Sequence, residues 1–461
     1  MPTPDNFDVA IIGSGPGGYV AAVQCAILGK SVAIIERDRL GGVCLNMGCI
    51  PSKSLIRQAS IFRSHTALES MGVTLDLAGF DYSRVFAASR KAADTLSKGV
   101  AWLMKKHRIT VINGTGVLGS NRSVVVDNSR EVHAANIIIA TGSRPRELPG
   151  FLFDEAQVLS SEGALMLEKL PKKIIILGGG AIGVEMAFIM NAFEVEVCLV
   201  EMMSRILPLE DAEVSETVRR SFAKRGIAVY TSARAVALHR DASGVAVTIQ
   251  DSENNRIPLS AEKILVSVGR SPNTETIGLD RIGITTEKGF IPVRDYGETA
   301  CLGVYAIGDV VATPLLAHVA SREGEIAAGH IAGAPGAERR IDPLAVPSAV
   351  YCEPEVASFG LTKERAEEQG IACTASTYQF RGAGKAVASG EVEGFVKLVH
   401  DKAGKELLGA HIVGAHATEL IHELLLAKTQ KLPLGAIAAM IHAHPTMAEG
   451  VREAARMGAG I

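Results

Sequence analysis

The sequence predicts an α/β chain made of several units, at least two of them built on parallel strands with helices between. Three observations carry that expectation. A chain of 461 residues is long enough for about three domains. With 47% hydrophobic residues it can bury several cores without help from disulfides or metals. A pattern of strand, glycine loop, helix and strand also occurs twice, at residues 7–36 and again at 173–201.

In the first copy an apolar β-type run at 7–12 leads into Gly13-Ser14-Gly15-Pro16-Gly17-Gly18, a helix-like stretch at 19–28 and a second strand at 31–35 that ends on Glu36. Strand, GxGxxG, helix and a terminal acid about 20 residues on form the dinucleotide-binding fingerprint, so the unit is expected to be Rossmann-like. Gly13 and Gly15 let the backbone turn tightly and approach a pyrophosphate, and Gly18 lets helix and strand pack closely. The helix N-terminus offers unpaired N–H groups to the phosphates, and Glu36 can accept from a ribose diol.

In the second copy, strand 173–177 is followed by Gly178-Gly179-Gly180-Ala181-Ile182-Gly183, a helix at 184–193 and a strand at 195–200 ending on Glu201. One such loop is compatible with an ordinary tight turn. Two, each with its strands, helix and acid, leave that reading little room. A carboxylate at Glu201 suits a free ribose 2′-OH and repels a 2′-phosphate, and Arg205 lies four residues beyond it, so NAD is expected over NADP. Further glycine turns close apolar runs at Thr141-Gly142-Ser143 and Gly269-Arg270, and Gly308-Asp309 places an acid after a third run.

A net charge of −3 gives no electrostatic reason to expect nucleic acid or membrane binding, and one Trp with 5% aromatics offers no base-stacking platform. The longest apolar stretch, 174–190, is broken by Gly178-Gly179-Gly180 and carries Glu185, which speaks against a membrane span. No basic leader precedes the first strand. Seven cysteines, an odd number without framework spacing, point to a reducing, cytoplasmic compartment.

Cys44 and Cys49 stand five positions apart and begin eight residues after Glu36. On one helix they would lie on successive turns, close enough for a strained bridge. Zinc is a poor fit, because no second Cys or His pair lies nearby. On the residues alone, an ordinary pair of buried cysteines remains open. Near the C-terminus stands His442-Ala443-His444-Pro445-Thr446-Met447-Ala448-Glu449. Thiol–disulfide exchange needs a base, and a histidine oriented by a carboxylate supplies one. Pro445 forces His444 out of the α region, and a following helix can turn Glu449 back towards the ring. Taken alone, the same residues also suit an unremarkable loop.

The run Gly41-Gly42-Val43-Cys44-Leu45-Asn46-Met47-Gly48-Cys49-Ile50-Pro51-Ser52-Lys53 resembles the redox motif of the pyridine nucleotide–disulfide oxidoreductases. Its Ile-Pro-Ser-Lys ending is similar to the lipoamide dehydrogenase branch rather than the glutathione reductase one. His444-Pro445-Thr446 with Glu449 is similar to the family's active-site signature. Two departures are Val43 and Cys352, where the family commonly has Thr.

The resemblance, which runs from Asp8 to about Arg456, implies a chain that oxidises protein-bound dihydrolipoyl groups and reduces NAD, with FAD as cofactor. It implies Cys44 as the thiol that exchanges with substrate and Cys49 as the thiol beside the flavin. His444 is the implied base with Glu449 as its partner, and His442 has no such match. Lys53 paired with Glu185 is implied near flavin N5, Asp309 on the ribityl chain, Leu316, Ala317 and His318 along the flavin edge, and Gly116, Thr141 and Gly142 near the dinucleotide. Gly178, Gly180, Gly183, Glu201 and Gly269 belong to the implied NAD site.

The implied layout is an FAD domain (1–149), an NAD domain (150–275), a central domain (276–345) ending in a Gly/Pro-rich linker at 332–343, and an α+β dimerisation domain (346–461). A homodimer whose site is shared between subunits is implied, served by a lipoyl-bearing protein of a 2-oxo acid dehydrogenase or glycine cleavage system. No metal is expected: His411, His416 and His422 lack a surrounding cluster of thiols or carboxylates. Related readings are a mercuric ion reductase, for which the C-terminal Gly458-Ala459-Gly460-Ile461 lacks a cysteine pair, and a glutathione-type reductase, which Glu201 opposes. A mainly structural component of a multienzyme complex is the reading from another class.

Overall fold

A computed structural model describes residues 5–120, 122–336 and 338–461. Residues 1–4, where a leader would begin, and residue 337 of the linker lie outside the described residues. The architecture is α/β, with three large sheets.

The first sheet has a parallel centre in the order Thr110–Asn113, Val32–Glu36, Asp5–Ile12, Arg130–Ile139, with Val304–Ala306 also paired to Arg130–Ile139. Ser123–Val126 and Gly116–Leu118 extend it as antiparallel strands. The strand residues next to the carboxyl edge, 9–12, 32–35 and 137–139, are all apolar and buried because both faces are covered there. Register aligns Ile12 with Ile35 and Ile139, and Ile139 with Ala306. The alignment brings Gly13, Glu36, Thr141 and Asp309 out at one carboxyl edge, where open α/β sheets bind their ligands.

The second sheet is wholly parallel, in the order Ala228–Tyr230, Glu196–Val200, Lys173–Leu177, Lys263–Val266, Val158–Leu159. Leu177 aligns with Val200 and Val266, so Gly178, Glu201 and Ser267 share its carboxyl edge. An antiparallel meander, Arg234–Asp241, Gly244–Gln250 and Arg256–Ala261, accompanies it. The third sheet is a five-stranded antiparallel one formed by residues 348–413, packed against helices Ala417–Thr429 and Glu449–Ala459. On these sheets we propose the division at 149/150, 275/276 and 345/346, with the third part lending Val304–Ala306 to the first sheet.

Two local expectations are corrected. The helices after the glycine loops begin at Pro16 and Ala181, inside the glycine motifs rather than after them. A helix that starts there aims its free N–H groups into the loop, and Pro at the first turn loses no bond that would otherwise form. The cysteine segment is also not one helix. Gly42–Met47 and Cys49–Arg63 are separated at Gly48, whose φ of −144° and ψ of −112° interrupt the spiral.

The largest buried cluster lies between units. It joins Leu55, Ile56 and Ala59 after the cysteines to Phe188 and Met190 of the second unit and to Val350, Cys352, Phe395 and Val413 of the third. Ion pairs reinforce the joint. Glu353 accepts from Ser60, stands 2.9 Å from Arg63 and 3.4 Å from Arg225, while buried Lys397 stands 2.9 Å from buried Asp211. Asp211 also caps the Ala212–Lys224 helix by accepting from Glu213 N. Removing one partner of such a pair strands the other charge. Lys397→Met is therefore expected to cost about 3–5 kcal/mol, read as a lower urea midpoint, and Asp211→Asn in the same chain to recover most of it.

Candidate functional site

Both glycine loops have the same geometry. Gly13 (φ +99°) and Gly178 (φ +106°) adopt left-handed conformations, and a Cβ at either would lie 2.3 or 2.4 Å from a facing carbonyl oxygen, Ala140 O or Ser267 O. A Cβ at Gly18 would meet Gly13 O at 2.0 Å, and one at Gly183 would meet Gly178 O at 1.8 Å. Gly15 and Gly180 differ: nothing lies within 4 Å of a Cβ there, so the loop is open where a phosphate would approach. Neither helix is capped by a side chain, which leaves its first N–H groups available to an anion.

The acids match as well. Glu36 accepts from Ser14 N at 2.8 Å, Ser14 Oγ at 2.6 Å and Asp38 N at 2.9 Å. Glu201 accepts from Gly179 N at 2.6 Å and Met203 N at 2.7 Å. Each buried carboxylate is oriented by these donors, with lone pairs left for a ribose diol. The chain thus fits two dinucleotides.

Only the first cradle receives further chemistry. A Cβ on Gly42 would fall 2.7 Å from Gly15 Cα, so the cysteine segment lies directly on the first glycine loop. Asp309 accepts a hydrogen bond from Ser143 Oγ. Arg270 donates to Ser143 Oγ and Ser143 O, both at 2.7 Å, and stands 3.9 Å from Asp309. Thr141 Oγ1 donates to Asn273 O at 2.7 Å, and Gly142 (φ +69°) turns the chain beside it. Arg146 N donates to Gly269 O across the junction of the two units. Gly116 is packed beneath Ile12 and Ile35, where a Cβ would sit 3.1–3.2 Å from their side chains and that of Val124. Leu316 precedes the Ala317–Ala332 helix, and His318 Nε2 donates to Pro347 O at 2.8 Å; partial removal of the ring from water pushes this imidazole below its ordinary value.

Cys44 and Cys49 have their sulfurs 2.7 Å apart. In the dithiol the two are unequal. The hydrogen bond from Cys44 lowers Cys49 to about 7, and Lys53 adds to this while burial opposes it. The same hydrogen bond, with burial, raises Cys44. Cys49 is accordingly the resting thiolate and Cys44 the protonated donor. Lys53, one turn beyond Cys49, stands 2.9 Å from Glu185 of the second fingerprint helix and 4.4 Å above the Tyr351 ring. Tyr351 N donates to Glu185 at 3.0 Å, so all three large units meet at this carboxylate.

His444 is hydrogen-bonded to Glu449 rather than to either cysteine. Its Nδ1 faces Glu449 Oε1 at 3.0 Å and Oε2 at 3.2 Å, and Glu449 opens the final helix. Thr446 N, then His444, hold the Glu449 carboxyl below its ordinary value. With Nδ1–H given to the carboxylate, Nε2 is the free base, on a side chain 75% exposed. Among the described residues its hydrogen bonds go to Glu449 and none to the cysteine pair. His442 turns inward instead, 3.0 Å from Glu423. His411 binds Leu361 O and His422 the Glu419 carbonyl, and no group of three or more His, Cys, Asp or Glu is gathered for a metal among the described residues. Cys352 is buried, with its thiol raised well above normal by burial. No helix among the described residues is long and apolar enough to cross a membrane.

Arg270 and Ser143, read in the sequence only as residues after glycine turns, and Tyr351 prove to be neighbours of the site. That placement was the only signal. A titration tests the inequality of the thiols. After reduction, thiolate absorbance in the ultraviolet is expected to rise with a midpoint near pH 7, be lost as pH falls below it, and vanish from that range in Cys49→Ser.

Residues 7–324 match the family described as pyridine nucleotide-disulphide oxidoreductase, and residues 346–455 match its dimerisation domain. The dihydrolipoyl dehydrogenase of Chlorobaculum tepidum is 45% identical over 98% of this chain and 96% of its own. Those of Zymomonas mobilis (41%) and Bacillus subtilis (40%) each match over at least 97% of both chains. Among solved structures, LpdA of Mycobacterium tuberculosis superposes with a TM-score of 0.90 at 26% identity, covering 98% of this chain and 99% of its own. The HOCl-induced flavoprotein disulfide reductase RclA of Escherichia coli, as its Cu(II) complex, gives 0.87 at 25% over the same shares.

Proposed function

The chain belongs to the pyridine nucleotide–disulfide oxidoreductase family, and from that premise we propose that it oxidises dihydrolipoyl groups through the Cys44–Cys49 pair and reduces NAD to NADH. The observation that carries this reading is the seating of the cysteine segment, with its acidic Cys49, on the first glycine loop while Lys53 reaches the second unit through Glu185. FAD, when bound in the first cradle, supplies the two-electron carrier between the cysteine pair and NAD. Gly13, Gly15, Gly18, Glu36 and Asp309 would hold it, and Gly178, Gly180, Gly183 and Glu201 would hold the NAD.

The chain's own residues account for the thiol chemistry. His444 Nε2 takes a proton from one substrate thiol, and Glu449 stabilises the imidazolium that forms. The substrate thiolate attacks Cys44 Sγ; the new sulfur–sulfur bond forms as the Cys44–Cys49 bond breaks, and its electron pair leaves on Cys49. Cys49 is the better leaving thiolate because it is the more acidic. The second substrate thiol attacks its neighbour in the mixed disulfide, its proton passing to the departing Cys44 while His444 keeps the first proton. It releases cyclic lipoyl disulfide and leaves Cys44 as the thiol, Cys49 as the thiolate and His444 as the imidazolium.

The C-terminal unit pairs two copies as a homodimer. His444 is 75% exposed and makes no hydrogen bond to its own cysteines among the described residues, which supports a site shared between subunits, each lending its base to the other. The dithiol arrives on a separate lipoyl-bearing protein of a 2-oxo acid dehydrogenase or glycine cleavage system. The setting proposed is the reducing cytoplasm, where a cysteine pair persists as a catalytic group rather than a structural one.

Anaerobic titration of the flavin-loaded protein with dihydrolipoamide is expected to produce a long-wavelength thiolate–flavin absorbance that NAD then discharges. Reduction by NADH but not by dihydrolipoamide would replace the substrate. Cys44→Ser should abolish dithiol turnover while FAD stays bound. His444→Gln should lower it by about 10²–10⁴-fold, as loss of a general base does.

A further inference from the structure

Arg90 lies on the long helix Tyr82–Lys106, outside every motif that carries the reaction. Its guanidinium is drawn into the back of the cysteine segment. Nη1 donates to Asn46 O at 2.9 Å, two residues after Cys44 and three before Cys49. The same group packs on Met47 Sδ at 3.9 Å and on Met166 Sδ at 3.3 Å. Seven residues on, and so on the same face of the helix, Ser97 Oγ donates to Leu40 O at 2.9 Å. Asn46 Nδ2 ties the two ends together by donating to Leu40 O and Gly42 O. One rigid helix thus grips both ends of the segment that carries Cys44.

Burial here disfavours the charged arginine, so its position against the loop is a cost that contacts must offset. Asp94, one turn along, is shared with Arg39, so Arg90 is not held by a carboxylate of its own. Two polar atoms at this contact are buried without a partner: Arg90 Nη2, a donor, and Asn46 Oδ1, an acceptor. They belong to the two residues already joined through Nη1. The contact thus leaves one donor and one acceptor unused beside the bond that is made.

We propose that Arg90 is a positioning residue of the thiol–disulfide step, holding the loop between Cys44 and Cys49 so that the two sulfurs stay within reach of each other. The inference rests on the reading of that pair as the redox centre. A dithiol held in place closes to the disulfide with little loss of freedom. A loosened one gains freedom only in its reduced form. The two electrons and two protons of reduction, supplied by the dithiol substrate, are then accepted more readily and given up less readily.

Potentiometric titration of the flavin-loaded dimer tests this. In Arg90→Gln the cysteine couple should shift about tenfold towards the dithiol, an upward move of ~30 mV for a two-electron couple, and Arg90→Lys, which restores the charge but not the guanidinium, should recover only part of it. An unchanged potential in Arg90→Gln overturns the proposal. So does a downward shift, which would mean that the arginine's charge stabilises the thiolate rather than its hydrogen bonds holding the loop. If Arg90→Gln does not fold, Ser97→Ala carries the test at the other end of the grip, where a smaller upward shift supports the proposal and none overturns it. Should the wild-type protein take up no electrons beyond those of its flavin, the redox reading itself fails, and Arg90 is not at issue.

Discussion

The site depends on main chain meeting main chain at distances no side chain allows. The first fingerprint helix can approach its strand because Gly18 faces Gly13 O, and the cysteine segment can lie on that loop because Gly42 faces Gly15. The same helix receives Ala317–Ala332 along its length, where a Cβ on Gly324 would come 2.6 Å from Gly17 O. Three elements are thereby drawn onto one glycine loop, the last from about 300 residues away, and bring free N–H groups, thiols, and the helix led by Leu316. A methyl group at any of these contacts separates the layers and moves the thiols away from the cradle.

The two fingerprints show what repetition supplies and what it does not. Loop torsions, close contacts and the buried acid with its backbone donors recur almost atom for atom at Gly178–Glu201. The difference lies in what arrives from outside. The first cradle is met by the cysteines and Asp309, whereas the second sends its own Glu185 across to Lys53. Cysteine acidity follows from this asymmetry: a hydrogen bond across the pair and a cation one turn away act on the same sulfur.

Most of this was legible in the sequence wherever the chemistry is local. Glycine spacing, the cysteine pair and the His444–Glu449 interval all lie within a few turns of chain, and each is constrained by backbone geometry that leaves a spelling. Two failures were also local. The helices start inside their glycine motifs because phosphate binding needs free N–H groups there, although glycine disfavours helix. Gly48 breaks the spiral between Cys44 and Cys49, which a spacing of five does not announce. The rest was illegible for a different reason. Arg90 on Asn46, Arg270 on Ser143, Tyr351 on Glu185 and Lys397 on Asp211 join residues 44 to 186 positions apart, and a single side chain at such a distance leaves no periodic trace.

The core that fills the joint between units bears on how such a chain can be remade. A binding module exchanged for one with another nucleotide preference must bring the faces of Phe188 and Met190 with it, since these complete a core otherwise made of Leu55, Val350 and Phe395. Cut free, each unit would expose an oily face and lose half of a shared interior. Cofactor choice and architecture are for that reason inherited together: the nucleotide loop can be respelled residue by residue, but the module around it cannot be traded whole.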